Sequence, residues 1–473
     1  MRVLGSLVAA VLTSFVVLSA FNETVLADEL SAELISVADG GSLSEKDFPV
    51  EIVFQGLESF ELRSGLQDFV SGRPGLRGAL ETSLGRDAGW HAAMLDVKVA
   101  DRQVWRELLK FTPVVTGTFQ ANRYSAADGS QPFDLKDRED YVAISASLPI
   151  WTSGVRVYGI KAAGSRRDSI AYDAKAVRDQ ATMKLIEYWT QAVSGARDRE
   201  ISLNAIKRLK RLRSAVVARQ KAGFASSSDI AQMEADLAAA HQDLFSIEGA
   251  LAKSRGQLLR LSGQQPGGTE KLTRFEQYMR DGRDAFIESA HRHNPQLQAA
   301  ASRYRSEIYS TRSAMSRLLP SVNLTGEYRH YLDNPRRSSD GGLTIGVRLQ
   351  VPLLDLSQVA ETAAQSTRKE AALFREAATL NAVEMEIESL WSDRMTTIAM
   401  SKEVDREVAA REKSAAAARG RFEKGFGSLE EAIRADTALM TSQRTALQLA
   451  AKETVLAAQL LVVSGKFKMS MLD

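Results

Sequence analysis

Two hydrophobic periods alternate along this chain. Over 114–122, Val115, Gly117, Phe119 and Ala121 alternate with Thr116, Thr118, Gln120 and Asn122. Over 141–148, Val142, Ile144, Ala146 and Leu148 alternate with Ala143, Ser145 and Ser147. The same pattern returns more cleanly downstream, with Val322, Leu324, Gly326 and Tyr328 set against Asn323, Thr325, Glu327 and Arg329. Its partner sets Leu343, Ile345, Val347, Leu349 and Val351 against Thr344, Gly346, Arg348 and Gln350. A period of two predicts strands with one apolar and one wet face. Each segment has about 9–12 residues, the length of a tilted membrane strand. Tyr124, Tyr141, Trp151, Tyr328 and Tyr331 stand near the strand ends, where interfacial aromatics belong. Elsewhere the period is helical. Ile230, Met233, Leu237, Ala240, Leu244, Ile247, Leu251, Ser254, Leu258 and Leu261 step by three and four, a heptad seam with one polar exception.

Proline divides the two regimes. None of the ten prolines lies between 150 and 265 or after 352. Both tracts are rich in Ala, Leu, Arg, Lys, Glu and Gln, all good helix formers. The layout then repeats. Thr112-Pro113-Val114-Val115 aligns with Leu319-Pro320-Ser321-Val322 at an offset of 207, and Leu148-Pro149-Ile150 with Val351-Pro352-Leu353 at 203. Lys221-Ala222-Gly223-Phe224 aligns with Glu423-Lys424-Gly425-Phe426 at 202. A duplication of about 200 residues accounts for all three.

Repeat one is expected over 76–265, with an opening helix at 78–110, a hairpin at 113–150, a long helix at 155–221 and a return helix at 228–262. Repeat two is expected over 284–465, with an opening helix at 284–318, a hairpin at 320–354, a long helix at 356–422 and a return helix at 429–463. A linker at 266–283 joins them, and 466–473 form a tail. A 67-residue helix rises about 100 Å. The opening and return helices, stacked end to end, match the long helix in length, which predicts one rod. In the second return helix the seam positions equivalent to those above are apolar except at Ser442 and Glu453.

Charge and chemistry narrow the class. Lys+Arg is 61 against Asp+Glu 59, a net of +2, so no concentrated basic surface for nucleic acid is expected. Cysteine is absent, which removes disulfides, thiolate metal sites and thiol catalysis. His291 and His293 are two apart and point to different faces of a helix, so no shared metal is expected. Glu384, Glu386 and Glu388 read as solvated helix faces. No Walker-A run, dinucleotide fingerprint or Gly-x-Ser-x-Gly elbow occurs. Neither an enzyme nor a cofactor is expected.

The apolar stretch Val3 to Phe21, with Val25-Leu26-Ala27 before Asp28, reads as a secretory signal over 1–27. The alternative is an uncleaved anchor, since the stretch is close to a spanning length. Residues 28–75 form an extension of unassigned role, in which Pro49 to Phe54 reads as a short strand. No later segment reads as a membrane helix, so later membrane contact falls to the strands. Four strands cannot close a barrel, and an open edge in lipid leaves backbone groups unsatisfied. Several chains must then share one barrel. The alternative is a soluble sheet on a periplasmic coiled-coil structural protein, held by the uncleaved anchor.

Order and spacing of several motifs also carry a resemblance. These are Asn294-Pro295-Gln296-Leu297 ahead of Leu318-Leu319-Pro320-Ser321, Val351-Pro352-Leu353 closing the hairpin, and Arg421-Phe422-Glu423-Lys424-Gly425 with its twin Arg219-Gln220-Lys221-Ala222-Gly223. With the duplicated layout, the chain resembles the TolC-type outer-membrane factor family, or outer-membrane efflux proteins, over about 76–465. The resemblance implies a mixed α/β membrane protein. Three identical chains would share one outer-membrane β-barrel, four strands each, continuing into a periplasmic α-helical coiled-coil barrel. It implies an export duct of a tripartite efflux pump or type I secretion system in a Gram-negative outer membrane. The partners would be a periplasmic adaptor and, beyond it, an inner-membrane transporter.

Carried over residue by residue, Gly223, Phe224, Gly425 and Phe426 would form the adaptor-docking tip. Val115, Phe119, Val142, Ile144, Leu324, Tyr328, Ile345, Val347 and Leu349 would face lipid. Acidic residues about two turns into the following helix line the family's aperture, and six positions after each glycine stand Asp229 and Glu431. A second acid three positions on, present in some members, is Gln232 in repeat one and Arg434 in repeat two, leaving a single ring of Glu431. The alternative role for Asp229, after Ser226-Ser227-Ser228, is to complement the helix dipole.

Overall fold

The computed structural model of the chain describes residues 75–123, 138–267, 270–333 and 341–472. The signal and extension at 1–74, the Pro49 to Phe54 strand and Tyr124 lie outside the described residues. Those described belong to one unit, Phe69–Asp473. In chain order they form α1 (Leu76–Arg86), α2 (Ala88–Leu109), β1 (Val114–Arg123), β2 (Arg138–Trp151), α3 (Val155–Lys221) and α4 (Ser227–Ser262). The second half gives α5 (Arg283–His293), α6 (Pro295–Ser316), β3 (Ser321–Asp333), β4 (Gly341–Gln350), α7 (Leu356–Glu423) and α8 (Leu429–Val463).

Each opening helix, expected as one piece, is broken. At Asp87 the backbone turns extended (ψ 107°) and the carboxylate accepts the Trp90 N–H, so a new helix is capped there. At Asn294 the following proline disfavours helical backbone, and ψ is 123°. Asn294 Oδ1 then accepts from Gln296 and Leu297 N–H at 2.8 and 3.1 Å, and Pro295 sits at the first helical position, where its missing N–H costs nothing.

The four strands pair antiparallel in the order β1-β2-β3-β4. Directly opposed residues share a face, so the register sorts every side chain. Phe119 lies opposite Val142, Ile144 opposite Tyr328, Gly326 opposite Ile345, and Leu324 opposite both Leu148 and Val347. All nine residues expected to face lipid therefore share one face. The other face carries Thr116, Ser145, Glu327 and Thr344 in one row. Beside them Arg329 stacks 4.7 Å over the Tyr141 ring and pairs with Glu327, and the Tyr141 hydroxyl donates to Gln120. His330, opposite Val142, is a polar exception on the apolar face.

The helices form a second four-wide layer. α3 packs on α2 and α4, and also on α6 and α8; α7 packs along α6 and α8. The row order is therefore α2/α4, α3, α6/α8, α7. Both outer rows keep apolar side chains in the open: Val99, Trp105 and Leu109 on α2, Phe245 on α4, and Val359, Leu373 and Phe374 on α7. By length and apolarity α8 could cross a membrane, contrary to the sequence expectation. Its Leu439, Leu449, Leu456, Leu460 and Leu461 are instead buried against its neighbours. The main core gathers where Leu80, Leu185, Ile186, Phe275, Phe286, Ile387 and Leu461 meet.

Candidate functional site

The two turns joining long and return helices are built alike. Gly223 (φ +80°) and Gly425 (φ +91°) take the left-handed conformation open to glycine. Gly223 N–H donates to Gln220 O at 2.9 Å and Phe224 N–H to Arg219 O at 2.8 Å. Gly425 to Phe422 (3.0 Å) and Phe426 to Arg421 (2.9 Å) repeat the pattern. This double bond satisfies carbonyls that a helix end leaves free, and it fixes the turn rigidly. Neither following phenylalanine folds back: Phe224 is 76% exposed and Phe426 85%. A rigid turn thus presents a bare aromatic ring at each tip.

The tips also meet. Arg219 Nη1 donates to Phe422 O at 3.2 Å, and its guanidinium stacks 5.0 Å over the Phe422 ring. Beneath them Leu209, Leu212, Val216, Met233, Phe422 and Ala432 form a small core shared by both helical hairpins.

Asp229 and Glu431 each stand third in their helices, in the first turn rather than two turns in. Their carboxylates do different things. Asp229 accepts from Ser226 N–H at 2.8 Å while Ser226 Oγ accepts from Asp229 N–H at 3.2 Å, a closed capping box. Ser428 Oγ likewise accepts from Glu431 N–H at 3.1 Å, but the Glu431 carboxylate pairs with Arg421 across the turn. Asp229 is engaged by its own helix, while Glu431 is held only by an exposed ion pair, which is worth about 1 kcal/mol or less.

Deeper in the helical layer lie charges that the periodic pattern does not reveal. Asp436 of α8 is 4% exposed and accepts on one oxygen from Arg208 of α3 (3.0 Å) and from Arg419 of α7. Its other oxygen and Arg208 Nη2 are buried without a hydrogen-bond partner. Arg444 of α8 reaches Asp198 (2.7 Å) and Ser202 (2.6 Å) on α3 and Asp243 on α4. Burial lowers the Arg444 pKa, but the Asp243 and Asp198 carboxylates outweigh it, and the net direction is up. Arg394 of α7, 5% exposed, pairs with Glu453 of α8 at 2.9 Å. That pair explains the charged break in the second seam. Ser442, the other break, donates to Leu439 O of its own helix.

The histidines go separate ways: His291 Nε2 lies 2.7 Å from Glu384 of α7, and His293 Nδ1 lies 3.2 Å from Ser289 O. Among the described residues no cluster of three His, Asp or Glu could hold a metal.

Comparison with known proteins agrees with this architecture. The sequence pattern of the family described as outer membrane efflux protein matches residues 286–466. Protein CyaE of Bordetella pertussis is 23% identical over 355 residues, covering 71% of this chain and 73% of CyaE. The outer-membrane channel OprN superposes with a TM-score of 0.73 at 17% identity, over 83% of this chain and 90% of OprN. The outer membrane protein VceC of Vibrio cholerae superposes with a TM-score of 0.72 at 17% identity, over 82% of this chain and 96% of VceC. CusC matches at 0.73 and 15% identity, over 86% and 96% of the two chains. With its second repeat matched in sequence and its described residues matched in fold, the chain resembles the TolC-type outer-membrane factors, the outer membrane efflux proteins.

Proposed function

We propose that this chain is one third of a trimeric export duct, the outer-membrane component of a tripartite efflux pump or a type I secretion system. Cargo would reach it from an inner-membrane transporter and a periplasmic adaptor and pass to the exterior, with no energy source in the duct itself. One observation carries the reading: among the described residues both layers are four elements wide and open on both sides. Among the described residues the sheet ends at β1 and β4, leaving rows of unpaired N–H and C=O groups. The helical layer ends at α2/α4 and α7 with apolar side chains uncovered. In lipid an open sheet edge costs several kcal/mol per unsatisfied group. Joining the β4 edge of one chain to the β1 edge of the next removes every edge once the ring closes. The same head-to-tail contact covers the apolar rims of α2/α4 and α7.

In such a ring the single apolar face of the sheet meets lipid, and the face with Glu327 and Arg329 lines the water. Phe224 and Phe426, on turns set by Gly223 and Gly425, are aromatic anchors of the kind that fill a partner's pocket, and we assign them to the adaptor. The anchored coiled-coil alternative leaves the sheet's apolar face uncovered among the described residues.

Glu431 is the residue we assign to the aperture, since Asp229 is held in its capping box. A carboxylate 4 Å from a passing cation is worth about 1 kcal/mol in water, a factor of about five. Single-channel recording of Glu431→Ala is expected to lower cation preference by about that factor and to relieve divalent block. Unchanged selectivity and block would remove Glu431 from the aperture. Silence of well-folded wild-type protein would remove the duct.

A further inference from the structure

A groove of about 690 Å³ crosses the helical layer near the sheet, touching α2, α3, α6 and α7. It reaches α2 at one rim and α7 at the other, although α3 and α6 lie between them. A single hollow can touch both rims only where the layer bends toward it, so this is the concave face.

Its lining carries seven basic residues against five acidic ones. The acids are the more fully engaged. Glu107 is held by Lys110 at 2.6 Å and by Arg106 at 3.5 Å, and Asp173 is paired with Arg303. Glu361 accepts from Gln365 (2.9 Å) and from Arg368 (3.1 Å), the latter outside the groove. Those hydrogen bonds, with the Arg368 charge and, more weakly, the charge of nearby Arg317, hold its carboxyl below the usual range, so it stays ionised and engaged. Glu307 and Glu376 remain. Against them stand Arg166, Arg317 and Arg375, whose guanidinium groups make no hydrogen bond or ion pair within 4.0 Å among the described residues. Arg156 adds a fourth cation, stacked 5.2 Å from the Phe111 ring.

We infer that this concave groove is an anion-binding station, in which Arg166, Arg317 and Arg375 take carboxylate or phosphate groups carried by the cargo. Guanidinium is suited to the task because its planar fork matches both oxyanions and stays charged at any working pH. The inference rests on the duct reading for its place in the transport path, because the concave face becomes the lumen only when the ring closes. Three copies would then surround the passage with nine such guanidinium groups, three from each chain. Cargo rich in acidic groups would be held there transiently, and salt would weaken the hold.

The test uses the full-length protein extracted in detergent. Fluorescein-labelled oligoglutamate is titrated at low salt and read by anisotropy, with labelled oligolysine as the opposite charge. Wild-type protein is expected to bind oligoglutamate and not oligolysine. The triple substitution R166Q/R317Q/R375Q should weaken that binding about tenfold or more, because it removes three exposed cationic partners at once. Restoring charge with lysine at all three positions should recover most of it. Displacement by inorganic tripolyphosphate separates a phosphate preference from a carboxylate one. Equal binding by wild type and R166Q/R317Q/R375Q, or equal binding of oligolysine, overturns the station. Bilayer recording on the same preparation keeps the two readings apart. Conduction with no polyanion binding overturns the groove and spares the duct, whereas arginine-dependent binding without conduction overturns the duct and supports the site.

Discussion

Asp436→Asn should lower the stability of the helical layer by about 3 kcal/mol, toward the lower end of what breaking a buried pair costs. The carboxylate lies in a space where Arg208 and Arg419 arrive from α3 and α7, and its side chain is 4% exposed. Asparagine keeps the shape but removes the charge. Two guanidinium groups, 18% and 24% exposed, are then left facing one another without their acid. The loss is held below the top of the range because those arginines still touch water. The network is also incompletely satisfied before any substitution. Both arginines converge on one oxygen of Asp436, while the other oxygen and Arg208 Nη2 have no partner. Such a junction specifies how three helices meet while resisting their separation weakly. On the duct reading, the tip end should therefore loosen first. Thermal unfolding and limited proteolysis of the purified protein check this. A wild-type midpoint together with a wild-type cleavage pattern would dismiss the junction as decoration. Adding Arg208→Gln to Asp436→Asn should regain part of the loss, since it removes one of the stranded charges.

Ile345→Arg should abolish assembly in the membrane, whereas Thr344→Arg, one residue away, should be tolerated. The two side chains lie on opposite faces of β4: Ile345 is opposite Gly326 in the row with Val115 and Ala146, and Thr344 is opposite Glu327. Arginine on the lipid side of a barrel costs about 2–4 kcal/mol near the bilayer midplane. In a ring of three chains that cost is incurred three times. Arginine at 344 enters the watered face directly across from a carboxylate. The yield of heat-modifiable trimer in the outer-membrane fraction reports both outcomes. Equal yields for the two variants, or the reverse order, would mean that the faces are assigned wrongly.

Much of this architecture is legible in the residues because it is periodic. The alternation from Val322 to Arg329 and from Leu343 to Val351 determines which side chains share a face, and the observed register keeps the paired ones there. The tip glycines are legible for a similar reason, since a helix-forming tract that meets Gly-Phe needs a left-handed residue to stop. The helix breaks at Asp87 and Asn294 are harder. There the apolar pattern runs on while the backbone stops, and a capping side chain decides the outcome. Asn294-Pro295 announces itself to anyone weighing proline above periodicity. Asp87 has only its own carboxylate to mark it.

Partners remote in sequence are beyond such reading. Arg208 and Asp436 are 228 positions apart, and no local pattern pairs them. The charged break at Glu453 is visible in the seam, and only the fold supplies Arg394 as its reason. Asp229 and Glu431 illustrate the same limit: they are equivalent in the repeat and alike in charge, yet Ser226 N–H engages one and Arg421 the other. Equivalent positions diverge when a neighbour from another helix competes for the side chain.

On the duct reading, one chain supplies a third of a closed ring. The most direct test is the mass of the complex extracted from the outer membrane in mild detergent, measured natively. Several copies are expected because, among the described residues, four strands and four helical rows leave both layers with open sides, and the resemblance to the outer membrane efflux proteins implies three. A monomer that stays folded in lipid, with the β1 and β4 edges unpaired, would overturn the shared ring.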